Sequence, residues 1–360
     1  MSILEHNRAR QIELGRSLLG RLKVYLDARY WIILRDAALD VSSDAGAIKL
    51  LNHLRRGVAN GCLVCPISAS MFLELLKQSY SQGRRIGTAQ LIDELSLGVS
   101  MAPPHTVLGT EVYSFLLKSK GFVDLYSMQE LIWTKVGYVL GVNYPSISQL
   151  PPTEELVIQE AFYDYLWNYT LSGMVEMIGD KTPTPHFKDL AYETNVQNTL
   201  HKDELRSFAQ TYDIELRGGI EVASEIAADV IQELAEKDAG CTFSPTPEQR
   251  ASTVNMCSNI LYYAFKKATA RDTLRCIHIG ASIHASMRWD KCRKFKPNDY
   301  YDFEHATAAL SYCDAFLTEG PLHDLVTRPQ IDLTAVNGCK VFSDIEAAAD
   351  HFGKLCLNCS

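Results

Sequence analysis

Residues 298–320 read NDYYDFEHATAALSYCDAFLTEG, two elements set back to back. DFEHATAAL, starting at Asp302, carries small apolar residues through its middle, the mark of a helix packed tightly on a sheet. CDAFLT, residues 313–318, has the pattern of a buried strand. Asp299, Asp302, Asp314 and Glu319 sit within or beside this unit, where burial of charge is costly. The acids therefore need an explanation of their own.

The same order of strand and then helix recurs outward from this unit. LKVYLD (22–27) leads into ARYWIILRDAAL, CLVCPIS (62–68) into ASMFLELLKQSY, and GCKVFSD (338–344) into IEAAADHFGKL. The runs are nearly all apolar, as strands covered on both faces are. They predict an α/β domain with a mainly parallel central sheet. Between residues 106 and 284 the strand signal fades. TEELVIQEAFYDYLWNYTLSGMVEMI reads as one long helix, and Val222, Ile226, Val230 and Leu234 recur four apart on one helix face. Thr246-Pro-Glu-Gln249 is a capping-box helix start. The expected organisation is an N-terminal helix (1–21), a first α/β part (22–105), a helical insertion (106–284) and a second α/β part (285–360).

Composition sets outer limits. The chain has 360 residues, 47% hydrophobic and 22% charged, with a formal net charge of −8, which argues against non-specific coating of nucleic acid. No apolar run approaches the roughly 18 residues that span a bilayer, and the charged, periodic N-terminus reads as an amphipathic helix. Ten scattered cysteines suggest a reducing, cytoplasmic setting. Cys62/Cys65 and Cys356/Cys359 form CxxC pairs, but the first lies in a strand-like run, where small buried hydrophobes are the better reading than zinc ligands.

With the strands placed, the acids fall near their ends. Asp27 ends the first strand, and Glu74 follows Ser68 by six residues. Asp302 opens a helix, Asp314 begins the next strand, and Glu319 follows that strand. Sites in open parallel sheets form beyond the carboxyl ends of strands. Carboxylates gathered there repel one another unless protonated or neutralised, and oxygen-only ligands suit Mg²⁺ or Mn²⁺. Such a centre suits in-line hydrolysis of a phosphodiester.

Four pieces of the chain, VYLDARYWIIL, ISASMFLEL, DFEHATAAL and CDAFLTEG, resemble in order the motifs of the PIN domain, a family of metal-dependent nucleases. NDYYDFEHATAALSYCDAFLTE is also similar to a group of longer bacterial PIN-like proteins. The resemblance covers residues 22–105 and 285–350, and the helical block has no counterpart in small members. It implies a three-layer α/β/α fold and an endoribonuclease. Asp27, Glu74 and Asp302 would be its main metal ligands, with Asp314 and Glu319 as outer or second-metal ligands. Asp299 competes with Asp302 for the third role; spacing favours Asp302, and Asp299 can instead cap the helix start. His305, one turn after Asp302, would touch the scissile phosphate or hold a carboxylate; a satisfied core histidine is the plainer reading.

The segment from Arg288 to Lys296 holds Lys291, Arg293, Lys294 and Lys296 with Trp289 and Phe295 interleaved. It would grip RNA phosphates while the aromatics stack on bases; the plainer reading is a solvated loop. The acidity of the chain points to a selective target, such as structured or transfer RNA, and a protein regulator is compatible with it. A second reading, from another class, is an inactive PIN-like scaffold acting through its helical block. VYLDARYW begins like a haloacid-dehalogenase motif, but Arg29 stands where that chemistry wants an acid.

Overall fold

The computed structural model describes residues 2–78, 83–121, 123, 125–179 and 186–358, the last three as backbone alone. The fold is mixed α/β and mostly helical, around a small parallel sheet. Its strands are β1 (Leu22–Leu26), β2 (Leu63–Val64), β5 (Ala315–Leu317) and β6 (Lys340–Phe342), in the order β2-β1-β5-β6. Tyr25 stands opposite Phe316, and Leu317 opposite Phe342. Both ends of the chain thus share one sheet. The run CLVCPIS yields only two strand residues, because beyond Val64 it leaves β1 and bonds instead to Leu95 and Val99 through the Cys65 and Ile67 amides.

A second, antiparallel pair joins β3 (Val99–Met101) to β4 (Trp133–Lys135). A single parallel bridge from Ile67 to Ser100 links it to the end of the β2 segment. β4 lies inside the stretch where no strand was expected, and three residues are too few to set up an alternation.

Apolar alternation along β1 divides the interior. Val24 and Leu26 face a core shared with Leu34, Leu54, Leu75 and Phe352. Tyr25 faces the opposite core with Phe316, Ala306, Ala309 and Leu310. Ala306 and Ala309 are wholly buried, so the Asp299–Tyr312 helix lies close on the sheet as its small residues suggest. Helices therefore cover both faces. The N-terminal helix, Ile3–Leu18, packs near residue 130, and a Cβ on Gly15 would lie 2.5 Å from the Glu130 backbone.

A third core lies in the helical block, among Val112, Leu216, Ile220, Leu261 and Ile277. The Arg275–Trp289 helix serves two cores, Ile277 and Ala281 facing the block while Ile279, Ile283 and Met287 face the sheet. The positions expected as domain limits, near residues 105 and 285, fall inside the Pro104–Ser119 and Arg275–Trp289 helices. Continuous helices, and not linkers, carry the chain between block and sheet.

Two expectations within the block change. The long helix from residue 153 is two helices, Pro152–Trp167 and Leu171–Ile178, the second capped by Thr170. The Asp93 carboxylate also accepts from the Leu171 and Ser172 amides at 2.7 and 2.9 Å, which suits the positive end of a helix. Along Phe208–Ala239 the buried face is Leu216, Ile220, Ala223 and Ala227, while Val222 is exposed. Alanines close to the neighbouring helix replace the β-branched stripe as the contact. Thr246 and Gln249 do form their capping box. Among the described residues no helix is long and apolar enough to cross a membrane.

Candidate functional site

The chain order runs outward through β2 on one side of β1 and through β6 on the other, so the topology switches between β1 and β5. Clefts in parallel sheets open at such a point, outside the carboxyl ends of the strands. Asp27 stands there. Its backbone N–H donates to Leu317 O at 3.1 Å, continuing the ladder past the end of β1. One carboxylate oxygen accepts from the Tyr30 amide at 3.0 Å, capping the Ala28–Ala38 helix, and the other accepts from the Glu319 amide at 3.1 Å. Asp27 is both the cap that plain reasoning expects and an acid of the cleft. Burial raises its pKa, against the Tyr30 amide, His305 and Thr318, which lower it. The Thr318 hydroxyl is buried beside the carboxylate, near enough to favour its charged form but outside full hydrogen-bonding geometry.

Ser68 caps the Ala69–Lys77 helix, and that helix brings Glu74 to the same region. His305 then joins the elements. Its Nε2 lies 2.8 Å from Glu74 Oε2, and its Nδ1 lies 2.6 Å from the Tyr25 hydroxyl. Tyr25 in turn stands 2.5 Å from Ser68 Oγ. A buried chain thus runs Ser68–Tyr25–His305–Glu74. Burial opposes charge on the imidazole, but the hydrogen bond to Glu74 and the fields of Glu74, Asp27 and Asp302 outweigh it, so its pKa is raised. With both nitrogens protonated, the ring donates to Glu74 and to Tyr25, whose own proton goes to Ser68. His305 is 1% exposed, so it holds a carboxylate and cannot touch a phosphate; the substrate-contact expectation is corrected.

Asp302 lies one turn earlier on the same helix, and its carboxylate accepts no hydrogen bond among the described residues. Burial, followed by the charges of Glu74, Asp27 and Asp299, pushes its pKa to about 7, with His305 the opposing influence. Lys77 is the other cation in reach: its Nζ sits 3.4 Å over the Tyr301 ring, and Glu74 and Asp302 both act on its charge.

The remaining expected residues separate from this group. Asp299 is 7% exposed and accepts from the Lys296 amide at 2.8 Å, closing the turn before the helix. In the described structure its bond is local, as a cap's is. Glu319 reaches the cleft through its amide, while its carboxylate is half exposed and 3.9 Å from Arg29. Asp314 is at the wrong edge. It precedes β5, where its carboxylate accepts from the Lys23 amide at 2.7 Å at the entry of β1. Parallel strands put their entries and exits on opposite edges of a sheet, roughly 3.3 Å per residue apart. The expectation of Asp314 as a catalytic or metal-binding acid therefore fails.

The basic segment is also divided. Lys291, Lys294 and Lys296 are exposed, Arg293 is half-buried, and none has an ion pair among the described residues. Arg288 pairs with Glu215, and Phe295 is 3% exposed among His284, Tyr300 and Phe303, so it cannot stack on a base. Cys65 is a buried free thiol 0% exposed, while Cys359 and the Cys356 side chain lie outside the described residues.

Tyr25 escaped sequence reasoning. The available signal was a hydroxyl in the middle of an otherwise apolar strand, two residues before Asp27 and so on the same face. For Mg²⁺ or Mn²⁺, the donors are of the right kind: three carboxylates and an orphaned hydroxyl, with acids crowded enough to hold Asp302 near neutrality. Among the described residues, however, no group of three or more His, Cys, Asp or Glu side chains is drawn together as a ligand set. The fit lies in donor chemistry and charge, not in a formed coordination shell. No family model, curated protein or solved structure matches the chain.

Proposed function

We propose that the chain is a metal-dependent phosphodiester hydrolase of the PIN-like kind, an endoribonuclease centred on Asp27, Glu74 and Asp302. The observation that carries this reading is the elevation of Asp302 to about 7 by burial and by its fellow acids at a topological switch point. Crowded carboxylates of this sort are relieved by a hard cation. When bound, Mg²⁺ or Mn²⁺ supplies positive charge at the phosphate and acidifies a water molecule.

The chain's own groups divide the work. Asp27 is a rigid acid, fixed by two backbone amides from two elements. Glu74 is oriented by the His305 donor. Asp302, whose carboxylate accepts no hydrogen bond among the described residues, is poised to hold or release a proton near neutral pH. Lys291, Lys294 and Lys296 offer unpaired charge to the phosphates that flank the cleaved bond.

The test is single-turnover cleavage of a structured RNA, alongside melting with and without Mn²⁺. Asp302→Asn should lower cleavage by about 100-fold or more, while Asp314→Asn should cleave as wild type does. Mn²⁺ at about a hundred times its Kd should stabilise the wild type by about 2.7 kcal/mol and leave Asp27→Asn unmoved. Full cleavage by Asp302→Asn would end the hydrolase reading. One observation favours the scaffold reading instead: the helical block exposes large side chains, among them Tyr165 at 62%, Tyr192 at 71% and Tyr263 at 63%. In that case wild type and Asp302→Asn would both leave RNA intact.

A further inference from the structure

A cavity of about 680 Å³ lies where the helical block meets the sheet, within the roughly 300–1,000 Å³ range of small-molecule sites. Its walls come from the Pro104–Ser119, Phe208–Ala239, Arg275–Trp289 and Asp299–Tyr312 helices. Its lining includes the aliphatic side chains of Val107, Leu108, Ile226 and Ile277. It also includes a cluster of rings, Phe187, His284, Tyr300 and Phe303, in contact with one another. We propose that this cavity binds a small, uncharged, predominantly apolar molecule that carries a flat ring.

Charge excludes an anion. Among the described lining residues there is no lysine or arginine, whereas Glu215 and Glu304 both contribute carboxylates. Glu215 is neutralised by Arg288, and Glu304 takes the Ser70 hydroxyl while remaining exposed. His284 is half-buried among the aromatic rings, and burial lowers its pKa, which favours the uncharged imidazole. Among the described lining residues a phosphate-bearing ligand would meet two carboxylates and no lysine or arginine, with His105 and His284 as the only imidazoles. The cavity is therefore distinct in chemistry from the acidic cleft, although Ser68 touches both.

Glycines keep the cavity open. Gly218 and Gly280 are interior to helices, where glycine costs about 1 kcal/mol relative to alanine. A Cβ built at either meets nothing within 4 Å, so no neighbouring protein atom requires the missing side chain. The space itself gives the glycines a role.

The inference does not rest on the hydrolase reading, and its test needs no RNA. The full chain is titrated with N-phenyl-1-naphthylamine, a neutral fluorescent probe, and with 8-anilinonaphthalene-1-sulfonate, the same ring framework carrying a negative charge. One equivalent of the neutral probe should bind saturably, and the sulfonate should bind at least about tenfold more weakly, a difference of about 1.4 kcal/mol. Gly280→Leu should weaken the neutral probe by at least about tenfold while the melting temperature holds or rises. If Gly280→Leu does not fold, Gly218→Leu carries the same comparison. Absence of saturable binding, equal affinity for the sulfonate, or undiminished affinity in the folded variant would overturn the proposal.

Discussion

His305 stands between one acid, Glu74, and the Tyr25 phenol with 1% of its surface exposed, so its replacement acts through the groups it holds. His305→Ala removes the donor from Glu74 and the partner from Tyr25, leaving buried polar groups unpaired. Breaking one side of such a pair costs about 3 kcal/mol or more, to be read by urea unfolding. A variant as stable as wild type would remove His305 from the organisation of the centre. Glu111 makes a separate residue-scale prediction. It is wholly buried, with Tyr312 O–H donating at 2.5 Å and the Cys276 amide at 3.1 Å. Burial raises its pKa from 4.5 to about 7, against those hydrogen bonds. The folded chain therefore keeps a proton that the unfolded chain gives up between those values. Stability is highest below about pH 4.5 and falls as pH rises toward 7, by about 3 kcal/mol at most from this group. Glu111→Gln should lose that share of the pH dependence in unfolding measured at pH 4.5 and 8; an unaltered dependence would refute the assignment. Asp27 and Asp302 drew attention because they stand at element ends, whereas Glu74 lies within a helix and was picked out by its six-residue spacing from Ser68. Tyr25 was hidden because its strand reads as apolar, and Asp314 misled because sequence nearness says nothing of which sheet edge a residue occupies.

At the scale of elements, the segment before the Asp299–Tyr312 helix was read as one interleaved nucleic-acid surface, and packing splits it. Its lysines face solvent, while Phe295 belongs to the core with Phe303. Two changes should therefore separate. Replacing Lys291, Arg293, Lys294 and Lys296 with Ala should leave the melt unchanged and reduce the salt slope of RNA binding by about one for each lost phosphate contact. Phe295→Ala should instead cost about 3–5 kcal/mol of stability through the cavity it leaves. RNA affinity and salt slope that survive the fourfold change would return the segment to a solvated loop. The same limit explains the other element-level differences. Apolar period located β1, β5 and β6 and the long Phe208–Ala239 helix. It could not find three-residue β4, nor the break at Thr170, after which the Leu171 and Ser172 amides turn to Asp93, 78 and 79 residues earlier. Nor could it choose the buried face of Phe208–Ala239, where alanines make the close contact.

At the scale of the molecule, β5 lies between β1 and β6, so the end of the chain supplies the middle of the sheet. The helical block depends on this far less, because its own core draws on Val112, Leu216, Ile220 and Leu261. The Arg275–Trp289 helix belongs to both, with Ile277 turned to the block and Ile283 to the sheet. A chain ended after Trp289 keeps that helix but lacks β5, β6 and the Asp299–Tyr312 helix. In it, β1 loses its ladder to Ala315, Phe316 and Leu317, and Tyr25 loses the Ala306, Ala309 and Leu310 surface. An exposed strand edge and an uncovered apolar face leave β1 nothing to repay its ordering. Amide hydrogen exchange on the truncated chain should therefore show Val24 to Leu26 exchanging as an open segment, while Leu216 to Ala228 stays protected as in the full chain. Protection of β1 without the last 71 residues would mean that the first part of the chain folds its sheet unaided, and the acidic cleft would then be assembled from a preformed half. Loss of protection throughout would mean that the block, too, depends on the sheet, with the Arg275–Trp289 helix as the element that transmits the dependence.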